Sequence, residues 1–168
     1  RKNGMLMELM KSLTAAVEPE NVIREILRIA YNVVDADRIT IFLVDSEREE
    51  LVVMESRDAE GVRLPLGRGL AGWCGRIGET INIENAQEDE RFEPTVDWKT
   101  GYNTKSVLAV PVKDTEGKTV AVLQAINKLE GGCFTPEDVS LLQYVGDGAA
   151  LALQRSNLLH QAVRSKKT

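Results

Sequence analysis

The chain has 168 residues, of which 43% are hydrophobic and 28% charged, a composition typical of one globular domain and not of a disordered chain. Its 26 acidic and 21 basic residues give a net charge of −5, which argues against nucleic-acid binding because that requires a basic face. Two cysteines and one histidine are too few for a disulfide scaffold, a zinc site or a two-metal hydrolase centre.

The first part of the chain predicts two helices followed by a short antiparallel unit. Apolar residues at spacings of three and four predict a helix over residues 5–17, with a second helix directly after it. Dense β-branched runs at 39–44 and 51–54, separated by a polar turn, predict a hairpin. Pro65 marks the extended segment 62–66 as an edge strand.

A glycine-rich stretch and a long polar segment come next. Residues 67–78 contain five glycines and predict a tight turn into a short helix, followed by a brief strand at 81–83. Residues 84–106, the lid segment, are polar and lack strong periodicity, which is typical of functional loops and lids.

The last part predicts a second hairpin and a long helix. The strands cover 107–112 and 119–126, and the closing helix begins after the N-cap Thr135 and runs to about Arg164. No strand–helix–strand alternation appears. We therefore predict an α+β fold, with a central antiparallel sheet of about six strands flanked by helices and with long N- and C-terminal helices.

The segment from Gly67 to Gly72 matches the G-x-G-x-x-G pattern of dinucleotide-binding proteins. That pattern needs a full-length crossover helix, whereas Gly75 and Gly78 interrupt the helix here. Two interpretations remain: a helix start that offers backbone N–H groups to a phosphate, or glycines that only permit close packing. Without other evidence, the second is favoured.

The polar side chains of the lid segment form the other candidate site. Asp97, Thr100, Tyr102, Asn103 and Thr104 carry the hydroxyls, amide and carboxylate that would hold a ribose and a base edge. The alternative is an ordinary solvated loop.

The closing helix carries an apolar seam at spacings of three and four, formed by Leu142, Val145, Ala149, Ala152, Ser156, Leu159 and Val163. Together with Leu6, Leu9 and Leu13 of the first helix, this seam predicts a parallel homodimer built on the terminal helices.

One further set of residues indicates a family. Asn127-Lys128 ends a strand, Phe134 follows a glycine loop, and Asp138 comes four residues later, with Val139 where the family has Glu. Over roughly residues 20–155 the chain resembles a GAF domain of the cyclic-nucleotide-binding type. The resemblance implies a structural clasp in which Lys128 and Asp138 pair above Phe134 and pin the last strand to the closing helix.

The resemblance also implies a set of ligand contacts. Thr40 would read the purine edge, Arg57 and Asp58 would flank the base, and the backbone at Leu70 and Ala71 would meet the cyclic phosphate. The remaining positions lie in the lid segment and on the central strand: Glu93, Asp97, Thr100, Thr104 and Gln124. The departures at Arg57, Glu93 and Gln124 bear on which nucleotide binds. Because Arg57 only donates hydrogen bonds and Gln124 replaces an acidic acceptor, cAMP is favoured slightly over cGMP.

These implications combine into one expectation. Residues 1–19 would be a dimerisation helix, 20–155 the GAF domain, and 156–168 an extension toward an absent output domain, in a fragment that begins at Arg1. The domain would bind cAMP or cGMP without a cofactor, act in the cytoplasm away from membranes, and regulate an attached phosphodiesterase without being an enzyme itself.

Two alternatives stay open. One is a GAF module that has lost its ligand and only dimerises. The other is an enzyme similar to the GAF-like reductases of free methionine sulfoxide, which use clustered cysteines. Cys74 and Cys133 lie in separate segments and fit that chemistry poorly, and Cys74, within an apolar stretch, is expected to be a buried structural thiol.

Overall fold

The computed structural model describes residues 2–16, 18–55 and 62–156. Its elements follow the predicted order, except that the lid segment, predicted as an irregular loop, contains a 3₁₀ turn and a short helix. The helices are α1 (Lys2–Ala15), α2 (Pro19–Val33), α3 (Gly69–Ile77), α4 (Thr95–Thr100) and α5 (Pro136–Ser156). The strands are β1 (Ala36–Asp45), β2 (Glu50–Glu55), β3 (Arg63–Pro65), β4 (Ile81–Ile83), β5 (Val107–Lys113) and β6 (Thr119–Lys128), and a 3₁₀ turn covers Ala86–Glu88.

The six strands form one sheet in the order β3-β2-β1-β6-β5-β4, and every neighbouring pair is antiparallel. The predicted antiparallel α+β fold is therefore confirmed, as are both hairpins and the edge position of the strand that contains Pro65. β4, which follows α3, pairs antiparallel with β5, so α3 is not the crossover helix of a dinucleotide-binding unit.

The alternation of side chains along β1 divides the core into two layers. Ile39, Ile41 and Leu43 belong to the larger core, which α1, α2 and α5 share with one face of the sheet. Phe42 faces the other way, into a smaller core covered by α3 and part of the lid segment. The cover of this second face is thus a short helix and a polar segment, whereas three helices pack on the first.

The amphipathic helix α2 fixes the larger core. Val22, Ile26, Ile29 and Val33 recur at spacings of three and four, and each is fully buried. Full burial of one such side chain contributes about 1.5–3 kcal/mol, so these four residues seat α2 firmly on the sheet.

The predicted dimer seam turns inward, which corrects our interpretation of it. Leu142, Val145 and Ala149 are fully buried, and Leu6 and Leu13 of α1 lie in the same core. An apolar stripe of helical spacing looks the same in sequence whether a sheet or a second chain covers it. Leu159 and Val163 lie outside the described residues.

The large apolar side chains that α5 exposes are Tyr144 and Leu151, on its outer side. Within the described ranges, no helix is long and apolar enough to cross a membrane.

A close backbone approach explains one glycine of the G-x-G-x-x-G pattern. A Cβ on Gly72 would lie 2.9 Å from the Pro65 carbonyl oxygen and 3.1 Å from the Gly67 nitrogen. The Gly67 N–H donates to the Gly72 carbonyl at 2.8 Å, so the chain folds back on itself at this point. The structure thus gives Gly72 a packing role.

We expect Gly72→Ala to lower the free energy of unfolding by about 1–3 kcal/mol, since the new methyl overlaps backbone that cannot move aside easily. Gly146→Ala is the matched control, because a Cβ there meets only Val112 Cγ2 at 3.5 Å. The control should be neutral or stabilising by up to about 1 kcal/mol, since alanine favours helix. Urea unfolding of both variants measures the difference, and equal stabilities would contradict this account of Gly72.

Candidate ligand site

A polar pair lies in the middle of the sheet face under α3. Thr40 of β1 is opposite Gln124 of β6, and Gln124 is opposite Ala109 of β5, so the three side chains share one face. Thr40 is 8% exposed and Gln124 is half-buried. Phe42 and Val122, the next residues along this face, are buried and apolar. A few polar groups on an apolar floor are typical of a small-molecule site.

The start of α3 lies above this floor. The helix begins at Gly69, and the preceding residue Arg68 provides no side-chain cap to the first turn. Leu70 and Ala71 are buried against the smaller core. An uncapped helix N-terminus presents backbone N–H groups and the positive end of the helix dipole, which favour an anion.

Two arginine contacts attach the first half of the lid segment to α3 and to the residue before it. The Arg91 guanidinium lies 4.6 Å from the centre of the Trp73 ring and pairs with Asp89 at 2.8 Å. The hydrogen bond from Arg91 outweighs burial and holds the pKa of Asp89 below its ordinary value. Arg68 pairs with Glu93 at 3.3 Å, in a more exposed position. Glu93 therefore has a protein partner at the edge of α3.

The second half of the lid segment is organised by Asp97. Its carboxylate accepts hydrogen bonds from the Thr104 backbone N–H and the Thr104 hydroxyl, both at 2.8 Å. Thr104 is buried. Thr100 lies apart from this pair at the exposed end of α4, where its hydroxyl donates to the Val96 carbonyl at 2.9 Å. The structure brings Asp97 and Thr104 together but turns the Thr100 hydroxyl to its own helix.

The last strand and the closing helix are joined by Lys128 and Asp138. Lys128 Nζ donates to Asp138 Oδ2 at 2.6 Å. The same oxygen accepts from the Thr135 N–H at 2.8 Å, and the Asp138 N–H donates to the Thr135 hydroxyl at 3.1 Å, which forms a capping box at the start of α5. Phe134 is buried, with its ring centre 5.7 Å from Lys128 Nζ.

Burial of Asp138 disfavours its charged form. Hydrogen bonds from Lys128 and from the Thr135 backbone outweigh that penalty and hold the pKa of Asp138 below its ordinary value. The carboxylate is therefore charged at neutral pH and stabilises the folded state.

Tyr102, a candidate residue of the lid segment, is joined to three residues that the sequence did not connect with it, Asp37, Arg38 and Asn127. Its hydroxyl donates to Asp37 Oδ2 at 2.5 Å and accepts from Asn127 Nδ2 at 3.0 Å. The Arg38 guanidinium lies 3.9 Å from the ring centre. Burial and the nearby Asp37 raise the pKa of Tyr102 to about 12. Arg38 is two residues before Thr40 on β1, and this period-two spacing was the available signal that both share a face.

Two of the expected contacts, Arg57 and Asp58, lie outside the described residues. A groove of about 820 Å³ opens beside the end of the lid segment, where Asn127, Lys128 and Lys105 contribute to its walls together with several acidic residues. Of the described residues expected to contact a ligand, Asn103 lines this groove, whereas Thr40, Gln124, Leu70 and Ala71 do not. The buried floor at Thr40 and the open groove are thus two different places.

Similarity to known proteins extends over most of the chain. The profile of the GAF domain matches residues 18–153. A probable 3′,5′-cyclic phosphodiesterase, pde-5, of Caenorhabditis elegans is 36% identical over 98% of this chain and 24% of its own length. A dual 3′,5′-cyclic-AMP and -GMP phosphodiesterase 11A of Takifugu rubripes is 33% identical over 90% of this chain and 18% of its own length. The chain thus spans less than a quarter of these relatives.

Solved structures agree on the fold. The GAF domain of an Acinetobacter phosphoenolpyruvate-protein phosphotransferase superimposes with a TM-score of 0.75 at 23% identity, covering 90% of this chain and 92% of that domain. A free methionine-R-sulfoxide reductase of Neisseria meningitidis, in complex with its substrate, gives a TM-score of 0.75 at 18% identity, covering 96% of this chain and 91% of the enzyme. At these identities the likeness concerns the fold alone.

The two cysteines lie in different environments. Burial raises the pKa of the Cys74 thiol to about 12, whereas Cys133 is exposed. Cys74 is therefore protonated at neutral pH and a poor nucleophile. In the part of the chain that the structure describes, no group of three or more His, Cys, Asp or Glu residues could hold a metal ion.

We expect Asp138→Asn and Lys128→Met each to lower the free energy of unfolding by about 1–3 kcal/mol, because each leaves a partly buried polar group without its charged partner. The double variant should lose less than the sum of the two losses, and a purely additive result would contradict the ion pair. Urea unfolding measures all four proteins.

The contribution of Asp138 should also depend on pH. Its pKa is lowered on folding, so the stabilisation is fully present above about pH 4, the ordinary range of an aspartate, and is lost as the pH falls through the lower folded-state value. The stability difference between the wild type and Asp138→Asn should therefore shrink below about pH 4. A difference that stays constant from pH 7 to pH 3 would contradict this assignment.

Proposed function

Because the chain belongs to the GAF domain family, we propose that it is a regulatory sensor domain that binds a 3′,5′-cyclic nucleotide and signals to an attached catalytic domain, a cyclic nucleotide phosphodiesterase. The observation that carries the proposal is the polar pair Thr40–Gln124 on an apolar floor, beneath the uncapped start of α3 and next to the lid segment. The names of the relatives, which are cyclic phosphodiesterases, support the choice of ligand.

Each part of the nucleotide has a matching part of the proposed site. Thr40 and Gln124 would face the base, since the hydroxyl and the amide both donate and accept hydrogen bonds. The backbone N–H groups at Leu70 and Ala71 would meet the cyclic phosphate at the start of α3. Asp97 and Thr104 would lie over the ribose, and Glu93 and Thr100 would close the lid segment at its outer side.

Ligand entry requires the lid segment to move. Thr40 is only 8% exposed, and Leu70 and Ala71 are also buried. A nucleotide therefore cannot reach the floor from solvent in this arrangement. Contacts such as Arg91 on Trp73 and Arg68 with Glu93 would open and re-form around the ligand.

The preference for cAMP stays part of the proposal. Gln124 is neutral, and Arg57, which lies outside the described residues, can only donate. A guanine base presents an N1–H and a 2-amino group, which call for an acceptor, and Asp58 is the residue that would supply one. We propose that the neutral pair Thr40–Gln124 accepts adenine more readily.

Signalling would use the ends of the domain. We propose that residues 1–19 and 156–168 flank a GAF core at 20–155 and connect it to a second copy and to the output domain. Since the described part of the seam is buried, any dimer contact on α5 would use its exposed side, where Tyr144 and Leu151 lie. The cytoplasmic location stays a prediction.

Two alternatives make different predictions. A ligand-free GAF module would bind neither nucleotide. A methionine sulfoxide reductase would need a reactive thiol, and the raised pKa of the buried Cys74 argues against one at that position. The wild-type domain is expected to show no reductase activity, and activity that Cys74→Ser abolishes would favour the enzyme.

We expect calorimetric titration to show binding of cAMP and of cGMP, with cAMP bound more tightly. Thr40→Val, which keeps the shape of the side chain and removes its hydroxyl, should weaken binding by about 1–2 kcal/mol, or roughly 5–30-fold. Lys105→Ala in the open groove is the control and should leave the affinity unchanged.

The pattern of the two variants locates the ligand. If Lys105→Ala weakens binding and Thr40→Val does not, the nucleotide occupies the groove of about 820 Å³ and the proposed site is wrong. If the folded wild type binds neither nucleotide, the ligand-free alternative is correct. Tenfold tighter binding of cGMP would overturn only the preference for cAMP.

A further inference from the structure

We propose that Tyr102 is a positioning residue that holds the lid segment closed over the bound nucleotide and so sets the rate at which the ligand leaves. The inference rests on the proposed function, since it names a regulation of that same site. It assigns to Tyr102, Asp37, Arg38 and Asn127 a role as one unit, here called the Tyr102 latch.

The hydroxyl of Tyr102 joins the lid segment to both central strands. It donates to Asp37 Oδ2 at 2.5 Å, at the start of β1, and accepts from Asn127 Nδ2 at 3.0 Å, near the end of β6. These strands are neighbours in the sheet. One side chain of the lid segment thereby binds two strands that lie outside that segment in sequence.

The ring of Tyr102 makes the second contact. The Arg38 guanidinium lies 3.9 Å from the ring centre, a stacked cation–π arrangement. Arg38 is opposite Ile126 of β6, and Thr40 is opposite Gln124, so both pairs lie on the same face of the sheet, one step apart. Arg38, which carries the stacked ring, therefore lies next to the polar pair along the proposed floor.

Asn127 extends the latch along the lid segment. Its backbone has a φ of 60°, a left-handed conformation that asparagine tolerates better than most residues. In that conformation its side chain donates to the Asn103 carbonyl at 2.9 Å and accepts from the Lys105 N–H at 2.6 Å. The chain on both sides of the buried Thr104 is thus attached to the end of β6.

The phenol of Tyr102 is a hydrogen-bond donor at neutral pH, as an ordinary tyrosine is. Burial and Asp37 raise its pKa to about 12, which extends that protonated form to higher pH. Trp98, an aromatic residue of the same lid segment, is 77% exposed. Tyr102 contacts β1 and β6 through its hydroxyl, whereas the exposed Trp98 is suited to serve as a control.

The experiment measures association and dissociation separately, by stopped-flow fluorescence with N-methylanthraniloyl-labelled cAMP and cGMP. Tyr102→Phe keeps the ring over Arg38 and removes the hydroxyl, and should raise the dissociation rate constant about 5–10-fold while the association rate constant changes less than twofold. Tyr102→Leu removes both contacts and should raise it further. Tyr144→Phe on α5 and Trp98→Ala should match the wild type.

Variants of Asp37 test whether the effect passes through the hydroxyl. Asp37→Ala should raise the dissociation rate constant in the wild type but add little in the Tyr102→Phe background, because the bond is already absent there. Asp37→Asn, which keeps an acceptor oxygen, should restore most of the slow dissociation. Unchanged dissociation in Tyr102→Phe, or additive effects of Asp37→Ala and Tyr102→Phe, would overturn the latch.

Amide hydrogen exchange gives a second readout that needs no ligand. Tyr102→Phe should speed exchange at Thr104 and Lys105, whose N–H groups are bonded in the closed lid segment, and leave the amides of β5 and β6 protected as in the wild type. Exchange that is unchanged, or faster everywhere, would contradict the latch. Absence of nucleotide binding by the wild type contradicts the proposed function instead, and the exchange result then still decides whether Tyr102 closes the lid segment.

Discussion

The end of β6 holds together three parts of the domain that are distant in sequence. Asn127 is bonded to the lid segment, and the next residue, Lys128, is paired with Asp138 at the start of α5. The left-handed φ of Asn127 directs the two neighbouring side chains to these different partners. The carboxylate of Asp138 also caps α5. Loss of one hydrogen-bonding partner at this point therefore affects a strand, a helix and the cover of the proposed site together.

This arrangement also explains how a closed site can serve as a sensor. Thr40 is buried, and several contacts that hold the lid segment in place are polar or stacking contacts. Such contacts contribute about 1 kcal/mol each, so the lid segment can open without unfolding the core beneath α2. A nucleotide that re-forms the contacts around itself would convert binding into a change in the order of residues 84–106.

The sequence predicted the sheet and the helices well because their signals are local. Strands such as 119–126 and helix α2 carry clear periodicities, and the turn at Thr135-Pro136 marks the start of α5. The pairing of Lys128 with Asp138 was implied by the resemblance to a GAF domain, and the structure contains it. The direction of the α5 seam did not follow, since Leu142 and Val145 have the same spacing whether a sheet or a partner covers them. The Tyr102 latch was not predictable either, because Tyr102 and Asp37 are 65 residues apart and only the fold brings them together.

The central claim is that a cyclic nucleotide lies on the floor formed by Thr40 and Gln124, beneath α3 and the lid segment. Titration of the ¹⁵N-labelled domain with cAMP, followed by two-dimensional NMR, tests it directly. We expect saturable shifts at the amides of Thr40, Leu70, Ala71 and Gln124, together with shifts throughout residues 95–106 as the lid segment re-forms over the ligand. A spectrum that does not change with cAMP or cGMP, or one whose shifts are confined to groove residues such as Glu84 and Gly131, would contradict the account.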